Sequence, residues 1–158
     1  MSVNTDVELL QRVPMFAHVD PAHLKVLAFS STKKRVSSGS FLIKKGSQGN
    51  AGYLIISGKG IVRRDNKGTS PAIARVQQGA FVGEMSMIGG IQSSISVQAI
   101  DDMVVLKISK KIFFRVCEEF PDVGVKVLAV LTDKLDGSLD GLRGVQNYFD
   151  NARKFSSL

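Results

Sequence analysis

The sequence predicts an α+β fold, in which an antiparallel β-roll, similar to a jelly-roll barrel, is flanked by N-terminal helices and two C-terminal helices. Three observations support this. Apolar residues recur at helical spacing near both ends, short runs rich in Val and Ile fill residues 32–109, and turn-forming residues interrupt those runs. With 158 residues, 44% of them hydrophobic, the chain is long enough for one domain with its own core. We place that domain at residues 1–136.

Helices are predicted over residues 5–30. The segment DVELLQRVPMF has apolar residues near helical spacing and an interruption at Pro14. In the next segment, VDPAHLKVLAF, Asp20 is expected to cap a helix that has Pro21 at its first position. The apolar residues expected to face the core are Val7, Leu10, Phe16, Leu24, Leu27 and Ala28.

The β-roll is predicted over residues 32–109. Runs such as SFLIKKG, GYLIISG, GIVRRDNKG and MVVLKIS have the composition of short strands. Many short strands with glycine turns are typical of an antiparallel sandwich or barrel, because glycine supplies the positive φ that tight turns need. The glycines that punctuate the runs are Gly39, Gly46, Gly49, Gly58, Gly60, Gly68, Gly79 and Gly83.

Helices return over residues 110–136. Ser109 is expected to cap the first, and Pro121 to begin the second. The second helix has apolar residues close to a heptad seam, which allows either a homodimer through residues 121–149 or packing onto the protein's own roll. Residues 137–158 are predicted to be a weaker helical extension and tail, because three glycines lower helix stability there. The seam consists of Leu128, Leu131, Leu135, Leu139, Leu142, Val145 and Phe149.

The charge is +7 at pH 7 and is unevenly placed. Between Ser30 and Gln78 the only acidic residue is Asp65, so a basic face is expected over residues 33–75. Such a face suits an anionic or protein partner, and equally an ordinary solvated strand surface. No apolar run has the length of a membrane span, and the first residues lack the pattern of a signal peptide. We therefore expect a cytoplasmic protein, with Cys117 as a buried structural thiol.

Several segments together resemble the cyclic nucleotide-binding domain family. The segment LLQRVPMFAHVDPAHLKVLA is similar to the family's first helix pair, GSFLIKKGSQGNAGYLIISGKGIV to its first strands, and SISVQAIDDMVVLKISKKIF to its closing strands and hinge helix. The segment at residues 79–96, GAFVGEMSMIGGIQSSIS, resembles the phosphate-binding cassette. The resemblance covers residues 8–135. Positions at the family's spacing are Gly39, Gly46, Tyr53, Gly58, Gly79, Phe81, Gly83 and Glu84.

This resemblance implies a ligand site in the cassette. Backbone N–H groups at the start of a short helix near Gly83 would bind the cyclic phosphate, and Glu84 would accept a hydrogen bond from the ribose 2′-hydroxyl. A competing interpretation is that Glu84 only caps the short helix. The implied binding residues are Gly83, Glu84, Met85, Ser86, Ser93 and Ser94.

The cassette departs from the family pattern at one position. The family has an arginine there that pairs with the phosphate, and in this chain the position falls on Ser93, with Ser94 after it. No Arg or Lys lies between Arg75 and Lys107. Replacing a guanidinium by a hydroxyl loses roughly tenfold to two-hundredfold in affinity. Bases that could compensate from across the roll are Arg63, Arg64, Arg75 and Lys107.

Two functions remain open at this stage. The first is a sensor of cyclic AMP or cyclic GMP, in which the ligand moves the C-terminal helices, with the nucleotide as a regulatory ligand and no other cofactor. The second is a degenerate member that binds a protein, with weak or no nucleotide binding. No helix-turn-helix follows Phe149, so sequence-specific DNA binding is not expected. No catalytic motif and no metal-ligand spacing are present, so we expect neither an enzyme nor a metal site.

Overall fold

The computed structural model of the chain describes residues 3–134. The predicted extension and tail at 137–158 lie outside them. The longest described helix has 14 residues, and within this range no helix has both the length and the apolarity to cross a membrane. The helices are α1 (Val3–Arg12), α2 (Pro21–Ser30), α3 (Glu84–Gly89), α4 (Lys110–Glu119) and α5 (Pro121–Lys134), with a 3-10 turn at Pro14–Phe16.

Within residues 3–134, eight strands form two antiparallel sheets of four. One sheet has the order β1-β8-β3-β6 and the other β2-β7-β4-β5, so neighbours in a sheet are distant in sequence. This arrangement, with helices on both sides of the strand region in the chain, confirms the predicted α+β fold. The strands are β1 (Thr32–Val36), β2 (Phe41–Ile43), β3 (Ala51–Ser57), β4 (Gly60–Arg63), β5 (Ala74–Val76), β6 (Phe81–Val82), β7 (Ser96–Ala99) and β8 (Met103–Ser109).

The strands β3 and β8 separate two hydrophobic clusters. Successive side chains of a strand point to opposite faces of the sheet. On β8, Leu106 and Ile108 therefore pack against the helices, whereas Met103 and Val105 pack inside the roll. On β3, Leu54 likewise faces the helices, and its neighbours in the chain face inward. Whether a residue's number on these strands is odd or even (its parity) thus tells which side of the sheet its side chain occupies.

The local signals that predict the helix starts are confirmed. The Asp20 carboxylate accepts a hydrogen bond from the Ala22 N–H at 2.9 Å, and Pro21 is the first helical residue. The Ser109 hydroxyl accepts a hydrogen bond from the Ile112 N–H at 3.1 Å. Each cap satisfies an N–H group that has no partner within the helix.

The described part of the leucine seam packs onto the protein itself. Leu131 is buried in the cluster between the helices and the roll, and Leu128 is half-buried against that cluster. Since the seam residues from 135 onward lie outside the described range, the homodimer through 121–149 stays a prediction. On the outer side of α5, Val125 is 56% exposed.

The basic face begins on β1, where Lys33, Lys34 and Arg35 are exposed to solvent. One of these bases has an acid of its own: the Lys33 ammonium lies 3.5 Å from the carboxylate of Asp6, which is buried on α1. This pair ties the first helix to the edge strand. Part of the basic face therefore serves the fold, and an anionic partner for the rest stays a prediction.

Candidate functional site

The cassette folds as a tight turn followed by a short helix, as predicted. Gly83 has φ 84°, a left-handed conformation that favours glycine, and its carbonyl accepts the Met87 N–H at 2.9 Å. A Cβ at this position would lie 3.0 Å from the Ala51 carbonyl oxygen. Both the turn and the close approach of β3 therefore require glycine, and α3 begins directly after it.

A pocket of about 310 Å³ opens between the cassette, the end of β2 and the following turn. Its volume lies at the lower end of the range of about 300–1,000 Å³ that is usual for small-ligand sites. Three groups of residues line it. They are the apolar Phe41, Leu42 and Ile43; the turn residues Ser47, Gln48, Gly49 and Asn50; and Lys44, Ala51, Tyr53, Gly83, Ser86, Ser93 and Lys107.

The structure brings together part of the predicted binding set. Gly83, Ser86 and Ser93 meet in this pocket. The side chain of Met85 packs against the core between the helices and the roll, and Ser94 is exposed outside the pocket lining. Met85 can therefore contribute to the predicted phosphate site only through its backbone N–H.

Glu84 borders a different cavity. This second cavity, of about 60 Å³, lies between the cassette and the 3-10 turn, and its lining includes Pro14, Met15 and Phe81 beside Glu84. Sequence reasoning could not make this distinction, since a residue at the start of a one-turn helix can face either the roll or the N-terminal helices. The predicted contact with ribose requires the carboxylate to turn toward the pocket.

Ser93 is nearly buried, with 9% of its surface exposed. Its hydroxyl donates to the Ile95 carbonyl at 2.7 Å, so its proton is already committed to the neighbouring backbone. Its main chain is held as well, because Ser93 N–H donates to the Ser47 carbonyl at 3.0 Å and the Ser93 carbonyl accepts Gly46 N–H at 2.7 Å. The hydroxyl must give up its present bond before it can donate to a phosphate.

The turn after β2 closes tightly on the cassette. Besides the two bonds to Ser93, the Gln48 side-chain amide donates to the Gly90 carbonyl at 3.0 Å. A Cβ on Gly49 would lie 2.2 Å from the Ser86 carbonyl oxygen, so only glycine permits this approach. The turn and the cassette thus form one wall of the pocket.

The pocket has bases where the cassette has none. Lys107, one of the bases expected to compensate, lines it, and so does Lys44, which the sequence analysis did not single out. By contrast, the Arg63 guanidinium donates to the Ser70 carbonyl on its own hairpin loop. Tyr53, opposite Lys107 in the strand register, also lines the pocket, and burial raises the pKa of its phenol. The position of Lys44 directly after β2 is the signal that would have found it.

The loop between β4 and β5 braces this wall from outside. The Asn66 side chain accepts from the Lys45 N–H at 2.7 Å and donates to the Lys45 carbonyl at 3.1 Å. Within the loop, Asp65 accepts from the Thr69 hydroxyl at 2.7 Å and from the N–H groups of Gly68 and Ser70. The Thr69 bond first, and then the backbone bonds, lower the pKa of Asp65 to about 2, although partial desolvation opposes them.

This shift predicts an acid-sensitive loop. Because the folded pKa lies below the ordinary 3.8, the ionised carboxylate stabilises the loop fully above about pH 4, and this contribution is lost as the pH falls through about 2. We expect NMR titration of the Asp65 carboxyl carbon to give a midpoint near 2. In Asp65→Asn the amide shifts of Gly68 and Ser70 should no longer change in that window, whereas Asp122→Asn on α5 should leave the change intact. A midpoint near 3.8 would contradict the bonding described.

Two other side chains of reactive types, Cys117 and His23, have surroundings that suit a structural role. Burial, and secondly the charge of Glu118, raise the pKa of the Cys117 thiol to about 12, so it stays protonated, as a packed structural thiol does. The His23 ring stacks on Phe120 with centroids 4.2 Å apart. In the part of the chain that the structure describes, no group of three His, Cys, Asp or Glu residues is arranged to hold a metal ion.

Comparison with known proteins places this fold and cassette in one class. The family model described as the cyclic nucleotide-binding domain matches residues 33–120, which run from the second residue of β1 through the other described strands, the cassette and α4. The chain belongs to the cyclic nucleotide-binding domain family. This confirms the resemblance carried by the glycine spacing and by the cassette.

Three relatives illustrate the range of the family. The Pycsar effector protein XpPycTIR of Xanthomonas perforans is 34% identical over 62% of this chain and 31% of its own length. A cAMP-dependent protein kinase regulatory subunit of Yarrowia lipolytica is 29% identical over 67% of this chain and 28% of its own. A cyclic nucleotide-binding-like protein from Brucella abortus superposes with a TM-score of 0.65 at 27% identity, covering 72% of this chain and 97% of that one. The chain thus spans about a third of the length of the two curated relatives, from Xanthomonas perforans and Yarrowia lipolytica.

Proposed function

We propose that the chain is a regulatory binding module that takes a cyclic nucleotide, cyclic AMP or cyclic GMP, in the pocket at the cassette. The observation that carries this proposal is the convergence of Gly83, Ser86 and Ser93 with two lysines in one pocket beside the family's cassette. The lining combines apolar side chains with polar and charged ones, which suits a nucleotide, since the faces of its base are apolar and its phosphate is charged.

Within this proposal the residues have separate roles. The phosphate is bound by the backbone amides of Gly83, Met85 and Ser86, with the hydroxyls of Ser93 and Ser94 in support if they reorient. The ribose 2′-hydroxyl is bound by Glu84, after its side chain turns away from the cavity near the 3-10 turn. A hydrogen bond to a charged acceptor is worth about 1.5–3 kcal/mol.

Ligand binding is coupled to the helices through a chain of aromatic rings. Phe81, at the start of the cassette, contacts Phe16 edge to face with centroids 5.5 Å apart. Phe16 in turn lies 6.5 Å from Phe113 of α4. A ligand that shifts α3 would change this contact, and through α4 it would reposition α5, so that the bound and free states differ in the placement of the C-terminal helices.

Two observations favour a second function, that of a degenerate member acting as a protein-interaction module. The hydroxyl of Ser93, the position predicted for the arginine, is already bonded, and Glu84 lines the cavity beside the 3-10 turn but not the pocket. In that case the fold is retained and the basic face or the outer side of α5 meets a protein.

For either function we infer a cytoplasmic regulator rather than an enzyme. The inference rests on the family and on the structural surroundings of the single cysteine. A homodimer through residues 121–149 belongs to the same proposal.

Calorimetric titration with cyclic AMP and cyclic GMP tests the proposal. We expect binding by the unmodified chain and a loss of roughly tenfold to a hundredfold in Glu84→Ala, because the ribose loses a charged acceptor. Glu119→Ala, which removes an exposed carboxylate of α4, is the matched control and should bind normally. If neither nucleotide gives heat or a thermal shift up to millimolar concentration, the sensor is ruled out and the interaction module remains.

A further inference from the structure

The charge of the pocket comes from the roll rather than from the cassette. Among the described residues that line it, two are lysines and none is an acid. The cassette contributes only glycine and serine. Among the described residues that line the pocket, an anion therefore meets a cation only at Lys107 on β8 or at Lys44 directly after β2.

Lys107 lies inside the mouth of the roll. It is on β8 with the parity of Met103 and Val105, whose side chains pack in the roll interior. In the strand register it pairs with Tyr53 on one side and with Thr32 on the other. Its side chain thus projects toward the pocket from the floor of the sheet, which is why it is half-buried although it is charged.

The Lys107 ammonium has no counter-charge of its own. Within residues 3–134 it makes no ion pair and no side-chain hydrogen bond. A charge that is partly removed from water and has no partner is unfavourable, and an anion brought to it gains more than it would at a surface lysine. The site is therefore arranged to accept a negative group.

Lys44 is the weaker candidate for this role. Its side chain is exposed at the turn after β2, so water and salt screen its charge. The long side chain also loses more conformational freedom when it is fixed at an exposed rim than when it is already confined.

We propose that Lys107 supplies the cation that the cassette lacks and holds the phosphate of the bound nucleotide from the roll side. This inference rests on the proposed function. It places the charged contact on a strand of the rigid sheet, while the cassette contributes neutral donors, so that the phosphate lies between β8 and α3.

The test compares Lys107→Met with Lys45→Met. Lys45 is an exposed lysine that lies next to Lys44 in the chain but does not line the pocket. Its substitution therefore removes the same charge from a position outside the pocket. The probes are cyclic AMP, cyclic GMP and the uncharged nucleoside adenosine, each titrated at low and high salt. We expect Lys107→Met to weaken cyclic nucleotide binding by roughly tenfold to a hundredfold and to reduce its salt dependence. The affinity of Lys107→Met for adenosine should stay within about threefold of that of the unmodified chain. The affinities of Lys45→Met and Lys107→Arg for the cyclic nucleotides should do the same.

The outcomes separate the two proposals. If the unmodified chain binds cyclic nucleotide and Lys107→Met binds it equally well, the role of Lys107 is overturned while the proposed function stands. If Lys107→Met weakens adenosine as much as cyclic AMP, Lys107 acts by packing, and the phosphate contact is wrong. If the unmodified chain binds no cyclic nucleotide, both fail together. Should Lys107→Met lower the melting temperature, Lys107→Gln, with a polar end that suits a half-buried position, is subject to the same criteria.

Discussion

Replacing Phe16 by alanine is expected to lower the free energy of unfolding by about 3–5 kcal/mol. The ring is fully buried in the cluster between the helices and the roll. It contacts Phe81 edge to face and lies tilted against Phe113. Alanine removes these contacts and leaves a cavity where the N-terminal turn, the cassette and α4 meet, and these three elements cannot all close on it.

Chemical denaturation with Phe29→Ala as the matched control measures this effect. Phe29 is 80% exposed on α2, so the same truncation there should change stability by less than about 0.5 kcal/mol. For Phe16→Ala we expect a fall in the melting temperature of roughly 10 °C. Equal effects of the two substitutions would show that the 3-10 turn does not pack on the cassette as described.

Phe16 also shows what sequence alone can predict. Its place on an apolar face follows from spacing, as do the caps at Asp20 and Ser109, because these signals act over one or two helical turns. Its contact with Phe81 does not, since the two residues lie far apart in sequence and meet only when the roll has closed. The fold class was thus predictable from local patterns, whereas the contact between the 3-10 turn and the cassette was not.

The candidate site also has features that the sequence predicts and features that it does not. Gly83 and the short helix after it were predictable, because a turn with positive φ requires glycine. Glu84 lines the cavity beside the 3-10 turn and is not in the pocket lining, which no local signal indicates. Of the four bases that could compensate, Lys107 alone lines the pocket, where its position on β8 opposite Tyr53 of β3 places it. The charge of the pocket depends on which face of β8 Lys107 occupies, and this feature could be found only from the structure.

Introducing the missing cation by Ser93→Arg is expected to tighten cyclic nucleotide binding by tenfold or more. The position lines the pocket, so a longer side chain there extends toward the ligand. The hydrogen bonds of Ser93 to Ser47 and Gly46 use the main chain and survive the substitution. The lost hydroxyl bond to Ile95 costs about 0.5–1.5 kcal/mol of stability, which thermal unfolding should detect separately from the change in affinity.

The matched control is Gln92→Arg, which adds the same charge at the exposed residue before Ser93, outside the pocket lining, and should leave affinity within about threefold. The gain from Ser93→Arg should also depend on Lys107. A single phosphate charge gains less from a second cation than from the first, so the tightening should be larger in the Lys107→Met background than in the unmodified chain. Equal gains in both backgrounds would mean that Lys107 does not contact the phosphate. An affinity that is unchanged in both backgrounds, as in Gln92→Arg, would mean that position 93 does not occupy the place of the family's arginine.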